Sequence, residues 1–172
     1  MTGRVHIYCG DGKGKTTAAV GLAIRAAGAG KRVLFAQFFK DGSSSEIRIL
    51  NQIDDIQVLH KQTVRGFFSR MTPEQREIAA RDYTQHFREI CALCRDKDVL
   101  ILDEIISACN HGTIQESELV SFLENRPENL EVVLTGRNPS SELMATADYV
   151  TEMGKIKHPF DQGIAARKGI EY

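Results

Sequence analysis

The sequence predicts an α/β fold in which a mostly parallel sheet is flanked by helices. Short runs rich in β-branched residues alternate with longer segments of helical periodicity, and such alternation is typical of parallel strands joined by crossover helices. One of these runs, Val99 to Leu102, is apolar at every position, as expected for a strand covered on both faces. We therefore expect that strand in the middle of the sheet.

The order of the predicted elements suits such a sheet. Thr72-Pro73-Glu74-Gln75 gives the best defined helix start, with an N-cap threonine, a proline in the first turn and a glutamine at the capping-box position. The predicted strands are Val5–Cys9, Val33–Phe38, Gln57–His60, Val99–Asp103, Val132–Thr135 and Tyr149–Glu152. The predicted helices run from Lys15 to about Ala29, from Pro73 to about Arg95, from Glu116 to about Asn125 and from Ser140 to about Thr146.

Two segments between these elements are predicted to be loops that cover a ligand. The residues from Asp41 to Ser45 have the composition of a loop, and the residues from Lys61 to Met71 lack clear periodicity.

The length and charge of the chain limit the classes of function. The 172 residues, 42% of them apolar and 26% charged, suit a single domain spanning residues 1–172. A formal net charge of −1 provides no overall field that would attract nucleic acid or an anionic membrane. No apolar stretch approaches the length of a membrane-spanning helix. We expect a cytoplasmic protein with no nucleic-acid or membrane partner.

The cysteines are too few and too scattered for a disulfide framework in a chain of this size. Cys91 and Cys94 have CxxC spacing, but they lie in a predicted helix and the chain has no second CxxC. The spacing therefore favours buried structural thiols over a metal or redox site. The other cysteines are Cys9 and Cys109.

A glycine-rich loop follows the first predicted strand and opens the first predicted helix, which is the context of a phosphate-binding P-loop. The alternative interpretation is a glycine-rich turn whose lysines are solvated. The flanking strand and helix favour the P-loop over this alternative. Lys15 is placed to reach phosphates and Thr16 to ligate magnesium, whereas Asp11 must face solvent or metal. Cys9 stands where the general motif has its first glycine. The candidate nucleotide-binding residues are Gly10, Asp11, Gly12, Lys13, Gly14, Lys15, Thr16 and Thr17.

The predicted central strand ends in two acids, Asp103 and Glu104. In P-loop NTPases an acid at this place holds the magnesium of Mg²⁺-ATP. We expect this strand to lie next to the P-loop strand and to supply that acid. The alternative is that the acids cap the following helix.

Blocks along almost the whole chain resemble the ATP:corrinoid adenosyltransferases of the CobA/BtuR type. The shortened P-loop of that family likewise lacks the first glycine. The blocks follow the family's order and are Gly10 to Thr17, Gln37-Phe38-Phe39-Lys40, Leu102-Asp103-Glu104, Asn125-Arg126-Pro127, Val133 to Asn138, Val150-Thr151-Glu152-Met153 and His158 to Gly163.

The resemblance implies a RecA-like P-loop fold, a homodimer and an electron-donating reductase as partner. It also implies transfer of the 5′-deoxyadenosyl group of ATP to the Co(I) centre of a corrinoid, cobalamin or a precursor, with release of triphosphate. Lys15 would then hold the triphosphate, and Arg25 and Arg137 would contact the nucleotide. Thr16 and Glu104 would bind Mg²⁺, and Asp103 would lie close to the metal.

The chain departs from the family in the segment expected to bind the corrinoid. The family segment often contains a tryptophan, whereas this chain has Phe67 and Phe68 there and no tryptophan at all. The two phenylalanines are candidate corrinoid contacts, and the alternative is that they anchor a loop in the core. We expect no N-terminal extension of the kind that some members carry. The basic C-terminal segment, with Lys155, Lys157, His158, Arg167 and Lys168, would then either cover the corrinoid or be a solvated tail.

Two other functions fit the motifs. A P-loop kinase or ATPase would use Glu104 to position the attacking group and would release ADP. A nucleotide- or corrinoid-binding protein without catalysis would bind ATP without turnover.

Overall fold

The computed structural model describes residues 2–40, 42–61 and 71–171. In that part of the chain the strands are β1 (Val5–Cys9), β2 (Val33–Gln37), β3 (Ile56–His60), β4 (Val99–Asp103), β5 (Glu131–Thr135) and β6 (Tyr149–Glu152). The helices are α1 (Lys15–Ala27), α2 (Ser45–Leu50), α3 (Pro73–Leu93), α4 (Ile105–Asn110), α5 (Glu116–Glu124) and α6 (Ser141–Ala145), and 3₁₀ turns span Cys94–Asp96 and Pro159–Gln162. None of the helices within these ranges is long and apolar enough to cross a membrane.

The strands form one parallel sheet in the order β3-β2-β4-β5-β1-β6. This confirms the α/β prediction and the central position of β4. The expected contact between β4 and the P-loop strand β1 is wrong, because β5 pairs with both and lies between them. Ile7 and Leu102 both align with Leu134 of β5, so β1 and β4 still end at the same edge, about 10 Å apart.

Side chains of alternate residues along β4 enter two separate cores. Leu100 and Leu102 pack on the side of the sheet that carries α3, whereas Ile101 packs with Ala19 and Ala23 of α1 on the other side. All five residues of β4 are buried. The fully apolar run is therefore explained by cover on both faces, as the sequence predicts.

The helix boundaries match the predictions where the sequence carries a strong signal. Thr72 and Gln75 form the predicted capping box: the Gln75 N–H donates to the Thr72 hydroxyl at 3.3 Å, and the Thr72 N–H donates to Gln75 Oε1 at 2.9 Å. The short helices α2 and α4 were not predicted. With six residues each, they are too short for the 3.6-residue period to stand out.

Cys91 and Cys94 lie at the end of α3, where Cys94 is fully buried and Cys91 partly buried. Burial raises the pKa of Cys91 to about 12 and that of Cys94 to about 11. Both thiols therefore stay protonated at neutral pH, as expected of structural cysteines.

Alkylation rates test this packing. We expect Cys91 and Cys94 to react with iodoacetamide at least about a hundredfold more slowly in the folded than in the urea-unfolded protein near pH 8, because the thiolate is the reactive form. Mass spectrometry of the peptides measures both rates. Rapid alkylation of the folded protein would instead favour a reactive CxxC pair.

Candidate active site

The P-loop connects β1 to α1 and packs against the segment that follows β6. The Gly12 N–H donates to the Met153 carbonyl at 2.7 Å, and the Met153 N–H donates to the Cys9 carbonyl at 2.8 Å. A Cβ atom at Gly10 or Gly12 would lie 2.6 Å from that Met153 carbonyl oxygen. The loop therefore needs glycine at these positions because another backbone approaches closely.

Lys15 is buried at the start of α1 and its ammonium lies inside the loop. Nζ donates to the Gly10 carbonyl at 2.7 Å and to the Gly12 carbonyl at 2.8 Å. Burial, followed by the nearby positive charge of Arg137, lowers the Lys15 pKa. A partly desolvated cation interacts more strongly with an anion than a solvated one does, which suits a phosphate-binding role.

Asp103 is fully buried at the end of β4, and its carboxylate accepts four hydrogen bonds. Oδ1 accepts from the hydroxyls of Thr16, at 2.9 Å, and Thr135, at 2.8 Å. Oδ2 accepts from Lys40 Nζ at 2.7 Å and from Gln37 Nε2 at 3.2 Å. This network joins β2, β4, β5 and the first turn of α1 at the edge where the P-loop lies.

Glu104, the next residue, has a different environment. Its φ of 63° is unusual for a residue with a side chain and costs about 1–3 kcal/mol, a strain that is often found at functional sites. Its N–H donates to the Thr135 hydroxyl at 2.9 Å, and its carboxylate accepts from Ser107 Oγ at 2.5 Å. Glu104 precedes α4 without a side-chain capping hydrogen bond to the backbone, and it lines the P-loop cavity.

The donor atoms at this edge fit Mg²⁺, which prefers oxygen ligands. Thr16 Oγ1 lies 2.9 Å from Asp103 Oδ1, and Glu104 adds a second carboxylate. The buried Oε1 of Gln37 has no hydrogen-bond partner among the described residues, and a metal-bound water would satisfy it. Within the described ranges no three His, Cys, Asp or Glu residues form a metal cluster.

A cavity of about 250 Å³ opens between the P-loop and the C-terminal segment. The P-loop wall includes Lys13 and Thr17 as well as Lys15 and Thr16. The opposite wall includes His158 and the apolar side chains of Pro159, Phe160, Ile164 and Ile170, together with Arg167 and Glu171. The C-terminal segment thus lies over the phosphate-binding loop.

The basic residues of the C-terminal segment do not share one role. His158 and Arg167 line the cavity, and Arg167 pairs with Glu171 at 2.9 Å. Lys155 pairs with Asp161 at 2.9 Å, and Lys168 is exposed. Only part of the predicted basic cluster therefore faces the candidate site.

The structure places the two candidate nucleotide-binding arginines differently. Arg137 lines the cavity, and its guanidinium lies 3.6 Å from the carboxylate of Asp11. Both of those side chains are exposed, so Asp11 faces solvent and the pair contributes little stability. Arg25 lies in the last turn of α1, about 15 Å along the helix from Lys15, and is not among the described residues that line the cavity. Its contact with the nucleotide stays a prediction.

A family model described as ATP:corrinoid adenosyltransferase BtuR/CobO/CobP matches residues 1–172. The chain belongs to this family. It is 34% identical over 171 residues to the corrinoid adenosyltransferase of Escherichia coli strain K12, a match that covers 99% of this chain and 86% of that protein. It is 33% identical over 172 residues to the corrinoid adenosyltransferase of Pseudomonas aeruginosa PAO1, which covers 99% of this chain and 84% of that protein.

Among solved structures, the chain is similar to EssC (ATPases 2 and 3) from Geobacillus thermodenitrificans. The TM-score is 0.54 at 14% identity, and the match covers 97% of this chain and 35% of that chain. This likeness concerns the fold alone, and it agrees with the predicted RecA-like P-loop fold.

Three residues of the Asp103 network in this corrinoid adenosyltransferase family member were not predicted from the sequence. Gln37 and Thr135 are the last residues of β2 and β5, and Lys40 follows β2 by three residues. A polar residue at the end of an apolar strand is a signal that was available, since parallel strands bring their carboxyl ends to one edge. From the sequence, Gln37, Thr135 and Lys40 are recognisable only as members of blocks shared with the family.

The candidate corrinoid residues Phe67 and Phe68 lie outside the described residues. Their contact with a corrinoid stays a prediction.

Proposed function

We propose that this cavity binds the triphosphate of Mg²⁺-ATP while the enzyme transfers the 5′-deoxyadenosyl group to the Co(I) centre of a corrinoid. ATP and a corrinoid are the substrates that membership of the family implies. The observation that carries the residue assignments is the convergence of Lys15, Thr16 and Glu104 on one cavity.

The reaction requires charge stabilisation rather than proton transfer. The electron pair of Co(I) forms the bond to C5′ of ATP, the C5′–O bond breaks, and the triphosphate leaves with that bonding pair. Negative charge therefore grows on the departing oxygen, and no general base is needed. The buried Lys15 ammonium and the N–H groups of the P-loop stabilise this charge.

Thr16 and Glu104 are the proposed magnesium ligands, with Asp103 behind the Thr16 hydroxyl. When bound, Mg²⁺ neutralises charge on the phosphate oxygens. The hydrogen bond from Thr16 to Asp103 supports this assignment because it fixes the hydroxyl and leaves an oxygen lone pair for the metal.

Replacing Glu104 by glutamine tests the metal assignment. Glu104→Gln is expected to reduce the rise in unfolding temperature caused by Mg²⁺-ATP, because only ligand binding to the folded state raises that temperature. The unfolding temperature without ligand should change much less. Glu142→Gln, at an exposed acid in the first turn of α6, is the matched control. If the Glu104 variant keeps a normal magnesium requirement, the residue only shapes the start of α4.

Product analysis tests the reaction itself. Incubation with ATP, Mg²⁺ and a Co(I) corrinoid should yield inorganic triphosphate, which ³¹P NMR distinguishes from ADP and phosphate. Accumulation of ADP would instead indicate a kinase or ATPase, and ATP binding without any product would indicate a protein that has lost catalysis.

The homodimer, the electron-donating reductase and the corrinoid contacts of Phe67 and Phe68 belong to the same proposal. They are supported by the resemblance to the family. Arg137 is proposed to contact the nucleotide because it lines the cavity, and Arg25 because it matches a family position.

A further inference from the structure

Lys40 places a positive charge beside the hydroxyl of Thr16, a proposed magnesium ligand, and beside the Asp103 carboxylate that accepts from that hydroxyl. Its Nζ lies 2.7 Å from Asp103 Oδ2 and 3.3 Å from Thr16 Oγ1. Thr16 in turn donates to the other carboxylate oxygen of Asp103 at 2.9 Å. The three side chains form a closed ring of hydrogen bonds at the edge of the sheet.

The backbone after β2 is shaped to bring Lys40 to this position. The Phe38 N–H donates to the backbone carbonyl of Asp103 at 2.9 Å, which ties the chain to the end of β4. Phe39 then adopts a φ of 54°, and its N–H donates to the Tyr83 hydroxyl at 3.2 Å. A positive φ is unfavourable for a phenylalanine, so packing must hold this turn in place.

The environment of Asp103 explains why a cation is needed there. Its carboxylate is fully buried, and Lys40 is its only ion-pair partner among the described residues. A buried charge is strongly unfavourable unless it is paired. The Lys40 side chain is 26% exposed, so the ammonium retains access to solvent, and it lies 3.3 Å from Thr16, which lines the cavity.

We propose that Lys40 and the divalent cation exchange at the Thr16 hydroxyl and its Asp103 partner, and that Lys40 then binds the triphosphate of the nucleotide. The inference rests on the metal site of the proposed function. A metal ion bound to Thr16 Oγ1 and an ammonium 3.3 Å from the same oxygen repel each other. The flexible stem of lysine lets the ammonium move, and the triphosphate supplies the anion that replaces Asp103 as its partner.

This exchange couples metal binding to nucleotide binding. When the metal binds without nucleotide, Lys40 must leave Asp103 and its ammonium gains no new anionic partner. The metal alone therefore binds weakly. Metal together with triphosphate offers that partner, so each improves the binding of the other. Lys40 would thus be a substrate-binding residue that also disfavours premature occupation of the metal position.

The first test uses Mn²⁺ as the probe, without nucleotide, and measures its dissociation constant by electron paramagnetic resonance. Lys40→Gln removes the competing charge and should bind Mn²⁺ at least about tenfold more tightly than the wild type, within the usual range of such couplings. Lys40→Arg keeps the charge and should remain much closer to the wild type. Lys31→Gln removes the same charge from an exposed residue before β2, at the opposite edge of the sheet, and should not change the affinity.

The second test uses the wild-type protein and so does not depend on the folding of a variant. Adding Mg²⁺ alone should increase the rate at which acetic anhydride acetylates Lys40, measured by mass spectrometry against Lys31 in the same sample. Adding inorganic triphosphate with Mg²⁺ should lower that rate again, because the ammonium then pairs with phosphate.

These measurements separate the inference from the proposed function, because neither uses a corrinoid or detects the reaction products. Mn²⁺ binding by Lys40→Gln no tighter than by the wild type would overturn the exchange and leave the metal site standing. An acetylation rate of Lys40 that does not respond to saturating Mg²⁺ would also overturn the exchange. Failure of Lys40→Gln to bind Mn²⁺ would overturn the exchange too, whereas the Mg²⁺-ATP site of the proposed function is tested separately by Glu104→Gln.

Discussion

Replacing Lys15 by alanine should lower the rate of adenosyl transfer at least about a hundredfold, the scale of losing one preorganised contact to charge in a transition state. The Lys15 ammonium is buried within the P-loop, and its acceptors are two loop carbonyls. It is therefore held where the triphosphate charge is expected to grow. The rate is measured under anaerobic conditions as the loss of the Co(I) spectrum at saturating ATP.

The control for this substitution is Lys31→Ala, at an exposed lysine on the opposite edge of the sheet, which should retain the wild-type rate. The unfolding temperature of the Lys15 variant without ligand shows whether the loop still folds. A folded Lys15→Ala protein with a rate within a few-fold of the wild type would remove the P-loop from the chemistry.

Asp103→Asn should lower the free energy of unfolding by about 3 kcal/mol, near the lower end of the range for breaking a buried ion pair. The variant removes the counter-charge of Lys40, and an amide group in place of Oδ2 would face two donors, Lys40 Nζ and Gln37 Nε2. The lower end applies because Lys40 retains some access to water.

Urea unfolding measures this loss, with Asp55→Asn as the control. Asp55 is exposed, and its substitution should change the free energy by no more than about 0.5 kcal/mol. An Asp103 variant as stable as the control would contradict the structural importance assigned to the buried network.

The sequence predicted local structure well because short apolar runs and cap residues act locally. β1, β4 and β6 have the predicted bounds, whereas β3 and β5 each begin one residue earlier and β2 ends one residue earlier than predicted. The order of the strands in the sheet could not be predicted from local sequence. Buried parallel strands such as β4 are apolar on both faces, so their composition does not specify which strand lies beside them.

The candidate site was likewise predictable only where its residues are close together in the sequence. The P-loop could be predicted because its glycines, lysine and threonine are consecutive. The different environments of Asp103 and Glu104 could not, because they depend on Thr135 of a neighbouring strand and on a positive φ at Glu104. The position of Lys40 depends on a positive φ at Phe39, which residue preferences do not anticipate for an aromatic side chain.

The most direct measurement of the central claim follows the two ends of ATP separately. ATP labelled in the adenine ring and at the γ-phosphate is incubated with the enzyme, Mg²⁺ and a Co(I) corrinoid, and the products are separated by chromatography. In the proposed reaction the adenine label is transferred to the corrinoid. One labelled adenosyl group is transferred for each γ-labelled triphosphate that is released. Adenine label recovered in ADP, with the γ label in phosphate or on another acceptor, would contradict it.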